Sequence, residues 1–202
     1  MLLEPIQIAN QKIKLSIALK SAGREFNRDP ESIIYGIPSF VDKEYIYAEA
    51  LDTISLFSSA MKIGWRKALS ALPNVYLREY IMNPRRLCFT HLLDIKKGSK
   101  ILDLGAGWGS ISLPLSKSFP KITVYSLDKT LESLLFLKIV KDQEGLSNLK
   151  VLHGDAGDIP FQDEFFDHVL IIGLLEYLGI PHDYKSPRDG QLKALKEAYR
   201  VL

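Results

Sequence analysis

Length, composition and charge set the first limits on this chain. Its 202 residues are 47% hydrophobic and 25% charged, which is enough apolar surface for one sizeable core and one or two domains. The 26 basic residues nearly balance the 24 acidic ones, for a formal net charge of +2, so charge gives no reason to expect a nucleic-acid partner.

Cysteine and histidine content narrows the chemistry further. The single cysteine, Cys88, excludes a disulfide framework and suits a reducing cytoplasm. The four histidines lack the spacing of metal ligands, so no metal site is predicted. The N-terminus does not resemble a signal peptide, and no stretch approaches the roughly 20 apolar residues that span a bilayer. We therefore expect a cytoplasmic protein without a transmembrane segment.

The first part of the chain has mostly helical periodicity. Apolar residues recur at helical spacing near the N-terminus and again from about residue 42 to 72, between two prolines (Ile13, Leu15, Ile17 and Leu19; Pro38 and Pro73). A further helix is predicted over 84–93, with Pro84 near its first turn. The pattern predicts an N-terminal helical region over residues 1–82 and a second domain over 83–202.

From residue 100 onward, short β-rich runs alternate with helical ones. Strands are predicted over 100–104, 122–127, 149–153 and 168–172, and helices over 110–118, 131–144 and from 191 to the end. Pro114 predicts a kink or a late start in the first of these helices. Such alternation predicts an α/β fold in which parallel strands are connected by helical crossovers.

A glycine-rich run follows the first of these strands. Gly105 and Gly107 lack a Cβ, so the backbone can turn sharply and a ligand can lie against its peptide groups. The spacing is G-x-G-x-G, whereas dinucleotide sites use G-x-G-x-x-G, and the carboxylate of Asp103 would repel a pyrophosphate. An ammonium and a sulfonium suit that charge, and S-adenosylmethionine (SAM) carries both. The run resembles motif I of the class I SAM-dependent methyltransferases.

Polar residues at the ends of the next two predicted strands extend this resemblance. Asp128 follows the second strand, where an acid can accept hydrogen bonds from both ribose hydroxyls; its alternative role is a helix N-cap. After the third strand, Asp155 resembles the residue that accepts from the adenine amino group, and the N–H of Ala156 would meet a ring nitrogen. The alternative for this segment is a polar Asp-Gly turn.

The segment after the fourth predicted strand resembles the family's loop over the methionine part of SAM, where Gly173 permits close backbone approach. The resemblance covers about residues 85–202. It implies a Rossmann-like, doubly wound parallel sheet with SAM as cofactor. The predicted cofactor-binding residues are Asp103, Gly105, Ala106, Gly107, Asp128, Lys129, Gly154, Asp155, Ala156 and Gly173.

No catalytic residue is assigned from the sequence. Glu176, Tyr177 and His182 follow the fourth strand, where an acceptor would approach, and each could take a proton from a hydroxyl. Local packing or an exposed loop position is the favoured explanation for each of them. SAM already carries an electrophilic methyl group, so a base is needed only for some acceptors.

The acceptor is indicated only by analogy. In similar enzymes the segment before the cofactor domain forms a cap or lid that sets acceptor specificity, and its aromatics here fit either a lid or a core (Phe40, Tyr45, Tyr47, Phe57, Trp65, Tyr76 and Tyr80). The C-terminal segment looks like type 11 methyltransferases found with surface-polysaccharide glycosyltransferases. We therefore expect a small-molecule, sugar or lipid-linked acceptor.

Three other interpretations stay open. The Gly-Trp-Gly around Trp108 is similar to cyclopropane-fatty-acid synthases, although this side chain could simply pack beside the loop. A nicotinamide-dependent oxidoreductase shares the glycine turn, but the spacing and Asp103 disfavour it. A non-catalytic scaffold that keeps the cofactor fold is the third.

Residues 191–202 look like the helix before a fifth strand of the family. The resemblance then implies that the C-terminal strands are lacking and that the predicted strands lie in the order 3-2-1-4. The strand at 168–172 would be an unpaired edge although its run is almost continuously apolar. We expect the natural gene to continue with strands that pair with it.

Overall fold

A computed structural model describes residues 25–41, 50–72, 81, 84–178 and 186–202. Within these residues the chain forms a six-stranded sheet with the order β1-β2-β5-β4-β3-β6. The strands are β1 (Ser32–Ile34), β2 (Ile37–Ser39), β3 (Lys100–Leu104), β4 (Thr123–Asp128), β5 (Leu149–His153) and β6 (His168–Ile171). The apolar periodicity at residues 13–19 lies outside the described residues.

Strands β5, β4, β3 and β6 form the parallel part of the sheet, as the alternating pattern predicts. This arrangement confirms the predicted order 3-2-1-4. Side chains alternate between two cores: Ile101 and Val124 lie in one, whereas Leu102 and Tyr125 lie in the other. Both faces of the central strands are therefore covered, which is why their sequences read as nearly continuous apolar runs.

Helices cover both faces of this sheet. The described helices are α1 (Ala50–Ile63), α2 (Trp65–Ser70), α3 (Ser112–Ser118), α4 (Leu131–Glu144) and α5 (Pro187–Val201), with a 3-10 helix over Pro84–Leu92. Helices α1 to α4 contribute to one core and α5 to the other. Helix α3 begins at Ser112, so Pro114 stands in its first turn, where an N–H has no helical acceptor. The predicted late start is confirmed.

The β1–β2 hairpin is a departure from the mostly helical pattern predicted for this part of the chain. Tyr35 and Gly36, both at positive φ (49° and 80°), make its two-residue turn. Strand β2 pairs in parallel with β5 through Ser39 and His153. Three-residue strands are too short to show a period-2 pattern, and they are stabilised by the neighbouring strand rather than by their own sequence.

Helices α1 and α2 pack against α4. Gly64 (φ 84°) divides the predicted long helix into these two segments. Gln143 donates to the Ala60 carbonyl over 3.2 Å and accepts from the Trp65 N–H over 2.9 Å. Glu144 accepts from the Trp65 indole N–H over 3.1 Å. The end of α4 therefore fixes the junction of α1 and α2.

Strand β6 lies at one edge of the sheet, as expected from the predicted order. Leu170 is buried, whereas Val169 and Ile171 are partly exposed. Among the helices that the structure describes, none is both long and apolar enough to cross a bilayer.

Candidate functional site

The glycine loop after β3 folds toward the end of β4. The N–H groups of Gly105 and Ala106 both donate to the Leu127 carbonyl, over 2.9 and 3.1 Å. Gly105 and Gly107 have positive φ (80° and 50°), which explains the need for glycine. A Cβ at Gly105 would lie 2.8 Å from Cβ of Leu174, whereas a Cβ at Gly107 would meet nothing within 4 Å. The loop is therefore tightly packed at Gly105 and open at Gly107.

The carboxylate of Asp128 lies at the centre of this arrangement. Its Oδ2 accepts the Gly107 N–H over 2.7 Å, and its Oδ1 accepts the Thr130 N–H over 2.7 Å. Burial raises the pKa of Asp128, and these two N–H groups oppose the increase by stabilising the charged form. Thr130, not Asp128, is the N-cap residue of α4. Asp128 instead orders the backbone of the glycine loop and of the turn that follows β4.

The turn after β5 joins the end of β4. Asp155 accepts the Gly157 N–H at Oδ1 over 2.7 Å, and its Oδ2 lies 3.0 Å from Nζ of Lys129. The N–H of Gly154 donates to the Asp128 carbonyl over 2.9 Å, and Ala156 is buried. The segment does form the polar turn that was the alternative interpretation. The same turn brings Asp155 next to Lys129 at the end of β4.

Asp103 lies beneath the glycine loop. It is 2% exposed, and its Oδ2 accepts both the N–H (3.1 Å) and the hydroxyl of Ser112 at the start of α3. The Ser126 hydroxyl donates in turn to Ser112 over 2.7 Å. Burial raises the pKa of Asp103 to about 6, against the hydrogen bonds from Ser112. The buried side chain therefore anchors α3 to β3.

Arg86 is a neighbour of this site that the sequence did not indicate. The pair Arg85-Arg86 resembles solvated surface, but only Arg85 is exposed, and Arg86 is partly buried. The positive charge of Arg86 opposes the increase that burial causes in the pKa of Asp103. The 3-10 helix that carries Arg86 packs against α3. That long-range contact leaves no pattern in the local sequence.

The turn after β6 lies against the glycine loop. Gly173 has a φ of 71°, and the next residue, Leu174, packs over Gly105. The Gln191 side chain of α5 donates to the Leu175 carbonyl over 2.9 Å and so fixes the turn. Glu176 and Tyr177 are both exposed on this turn. His182 lies outside the described residues.

Trp108 packs beside the loop. Its ring centroid lies 6.3 Å from that of Phe136 on α4, and its side chain contacts the first core. The packing explanation for Trp108 is confirmed, and the similarity to cyclopropane-fatty-acid synthases stays a prediction from the sequence. In the described ranges, no three side chains among His, Cys, Asp and Glu lie together as metal ligands would.

Comparison with known protein families identifies the family of this chain. Residues 95–202 match the model of a methyltransferase domain family, which is more than half of the chain. The chain belongs to this family. S-Adenosylmethionine is the cofactor of this class I methyltransferase fold. The alternative of a nicotinamide-dependent oxidoreductase is therefore set aside.

This methyltransferase domain matches only part of the length of its individual relatives. The ribosomal RNA small subunit methyltransferase G of Lactococcus lactis is 28% identical over 137 residues, 65% of this chain and 56% of that protein. A demethylmenaquinone methyltransferase of Geobacillus is 34% identical over 112 residues, 54% of this chain and 43% of that protein. The chain thus spans about half the length of these curated relatives.

A solved structure supports the fold. A putative SAM-dependent methyltransferase of Methanococcus maripaludis superposes with a TM-score of 0.51 at 16% identity, over 80% of this chain and 63% of that one. At 16% sequence identity this similarity shows a shared fold. It agrees with the mostly parallel sheet and its flanking helices.

The residues at the strand ends suit the chemistry of SAM. Two cationic groups, a ribose diol and an adenine amino group all favour carboxylate neighbours, and Asp103, Asp128 and Asp155 supply them. The open space at Gly107 leaves room for a ligand against the backbone. The three carboxylates and the open backbone at Gly107 therefore suit the chemistry of this cofactor.

Proposed function

We propose that this chain transfers a methyl group from SAM to a small-molecule or lipid-linked acceptor at the carboxyl ends of β3, β4 and β5. The observation that carries the proposal is the hydrogen-bond network at these ends. In this network the Gly107 N–H joins the glycine loop to the Asp128 side chain. The Gly154 N–H and the Lys129–Asp155 pair join the end of β5 to the end of β4. Three separate chain segments thus converge on one crevice.

In this proposal each segment holds one part of SAM. Asp128 accepts from the ribose hydroxyls, and Asp155 accepts from the adenine amino group while the N–H of Ala156 meets a ring nitrogen. A carboxylate oxygen has two lone pairs, so an oxygen of Asp128 that accepts one backbone N–H can also accept from a ligand. The methionine part lies along the backbone of the glycine loop and Gly173, and the Asp103 charge favours its cationic groups.

The main task of the chain is then to position the acceptor and exclude water. Bound SAM supplies an electrophilic methyl group on its sulfonium. We propose the region over residues 1–82 as the part that caps the acceptor side and selects the acceptor. Glu176, Tyr177 and His182 remain candidates for a general base where the acceptor is a hydroxyl.

The relatives support a quinone-type acceptor first. One is a demethylmenaquinone methyltransferase, and a lipid-linked ring fits the nearly balanced charge of this chain. Ribosomal RNA is the second candidate because of the Lactococcus lactis relative. A net charge of +2 gives little electrostatic support for an RNA. The sugar or glycan-lipid acceptor stays a prediction from the C-terminal resemblance, as does a cytoplasmic location from the cysteine content.

Calorimetry with SAM and S-adenosylhomocysteine tests the first step, with NADH as the control ligand. Methyl transfer is then measured by mass spectrometry on a prenylated hydroquinone, a polyprenyl-linked sugar and small-subunit ribosomal RNA. A mass gain of one methyl group on the hydroquinone is the expected result. Absence of SAM binding contradicts the proposal. RNA binding that is tight at physiological ionic strength and falls steeply with salt contradicts the choice of acceptor.

A further inference from the structure

His153 stands between the N-terminal hairpin and the end of β4. It is the last residue of β5, and in the sheet register it lies opposite Ser39 of β2 on one side and Asp128 of β4 on the other. Its side chain is 1% exposed. No ligand can reach this ring directly, so any influence on the crevice must pass through its neighbours.

The imidazole contacts both neighbouring segments. Its Nδ1 lies 2.9 Å from Oγ of Ser39, and its Nε2 lies 3.1 Å from the carbonyl oxygen of Lys129. A carbonyl oxygen can only accept, so Nε2 carries a proton and donates it to Lys129. In the neutral ring Nδ1 then accepts the single proton of the Ser39 hydroxyl, which connects the imidazole to the hairpin. The ring is therefore held at both ends.

The Lys129 peptide is part of the turn that orients Asp128. This turn closes with the Thr130 N–H donating to Oδ1 of Asp128, while the Asp128 carbonyl accepts from Gly154. Fixing the Lys129 carbonyl therefore restricts the backbone between Asp128 and Thr130. A shift of this turn would move the carboxylate away from the ribose hydroxyls.

We propose that His153 is a positioning residue for the cofactor, and that through it the β1–β2 hairpin contributes to SAM affinity. The inference depends on the proposed contact between Asp128 and the ribose. It assigns a binding role to the hairpin, which is far in sequence from the methyltransferase motifs and is held at the site by β5 and His153.

Two substitutions at His153 separate positioning from packing. His153→Gln can place an amide N–H near the position of Nε2, whereas the shorter His153→Asn reaches only toward Ser39. We expect His153→Asn to weaken SAM binding roughly threefold to tenfold, the effect of one neutral hydrogen bond, and His153→Gln to recover most of it. Ser39→Ala should weaken binding in the same direction. Ser116→Ala, which removes an equally buried hydroxyl in α3, is the matched control and should leave affinity unchanged.

A second ligand tests the route of the effect. With the 2′,3′-dideoxyribose analogue of S-adenosylhomocysteine, Asp128 has no hydroxyl to bind, so the His153→Asn loss should disappear. Circular dichroism first gives the thermal unfolding midpoint of each variant. Affinities are then measured by calorimetry at a temperature below that midpoint. If His153→Asn does not fold, Ser39→Ala carries the same comparison.

The possible failures are distinguishable. Equal affinity of wild type and a folded His153→Asn, or an equal loss with both ligands, overturns the positioning role. If Asp128→Ala weakens binding of S-adenosylhomocysteine while the His153 and Ser39 variants do not, only this inference is wrong. If Asp128→Ala also has no effect, the proposed cofactor site is wrong.

Discussion

The N–H of Gly107 donates to the carboxylate of Asp128 over 2.7 Å. These two residues are 21 positions apart in sequence and belong to the ends of different strands, β3 and β4. Because the Thr130 N–H binds the other carboxylate oxygen, the side chain of Asp128 is oriented before any ligand arrives. Pre-organisation of this kind lowers the entropic cost of binding.

Asp128→Ala should weaken SAM binding about tenfold or more. The substitution removes the charged acceptor proposed for the ribose hydroxyls, and hydrogen bonds to charged groups contribute about 1.5–3 kcal/mol each. Calorimetry with the folded variant measures the loss. Asp142→Ala, which removes a half-exposed carboxylate of α4 paired with Lys138, is the control and should bind SAM normally. Unchanged affinity of Asp128→Ala would refute the assignment.

Gly107→Ala should weaken SAM binding strongly and lower the free energy of unfolding only modestly. A Cβ there meets no protein atom within 4 Å, so the cost to folding is the strain of a positive φ, about 1–2 kcal/mol. The same Cβ would project into space proposed for the ligand. Gly145→Ala is the matched control, since Gly145 caps α4 at a φ of 66° and is equally open.

Chemical unfolding and calorimetry compare these two glycine variants. Similar losses of stability are expected, together with at least a tenfold loss of SAM affinity for Gly107→Ala alone. Equal SAM affinities for the two variants would show that the ligand does not approach Gly107.

Asp103→Asn should change how stability depends on pH. Burial raises the pKa of Asp103 from its ordinary 3.8 to about 6. Between these values the folded state binds a proton that the unfolded state has released, so the unfolding free energy of the wild type falls as pH rises through this window. The neutral Asn lacks this dependence while its oxygen can still accept from Ser112.

The difference in unfolding free energy between Asp103→Asn and wild type should therefore grow in favour of the variant by about 2 kcal/mol from pH 4 to pH 7. Urea unfolding at several pH values measures it. The negative charge of Asp128 is one of the causes that raise the pKa of Asp103, so the comparison reports the titration of this pair of carboxylates. A pH-independent difference would mean that Asp103 titrates normally in the fold.

Glu144→Gln should loosen the contact between α2 and α4. Hydrogen bonds from Lys117 and Arg66, opposed by partial burial, lower the pKa of Glu144. The carboxylate therefore stabilises the fold above its ordinary pKa of 4.5, and this contribution is lost as pH falls through the depressed value. Both cations are mostly exposed, so we expect a loss of about 1 kcal/mol at pH 7.

Thermal and urea unfolding at pH 7 and at pH 3 test the Glu144 prediction. The Gln oxygen can still accept from Trp65, so the loss should report the charge alone and shrink at the lower pH. Glu31→Gln, at an exposed carboxylate of the N-terminal segment, is the control and should change little. A loss of equal size at both pH values would point to packing instead of the ion pairs.

The sequence by itself determined the central sheet and the glycine loop. Strands β3 and β5 have the predicted bounds, and the helix at 131–144 matches α4. These elements are encoded locally, because apolar periodicity and the glycine chemistry of a turn depend on neighbouring residues. The same locality indicated that Asp128 and Asp155 would stand at strand ends, and hence at one edge of a parallel sheet.

Only the tertiary structure decided which way side chains point and what they meet. It turned Asp103 beneath the loop toward Ser112, and it placed Arg86 near that carboxylate. It also added the β1–β2 hairpin and set His153 between Ser39 and the Lys129 carbonyl. Each of these contacts joins residues from separate elements, and their energies come from burial and pairing across the fold. No local periodicity records such contacts, because they exist only once the strands and helices have packed.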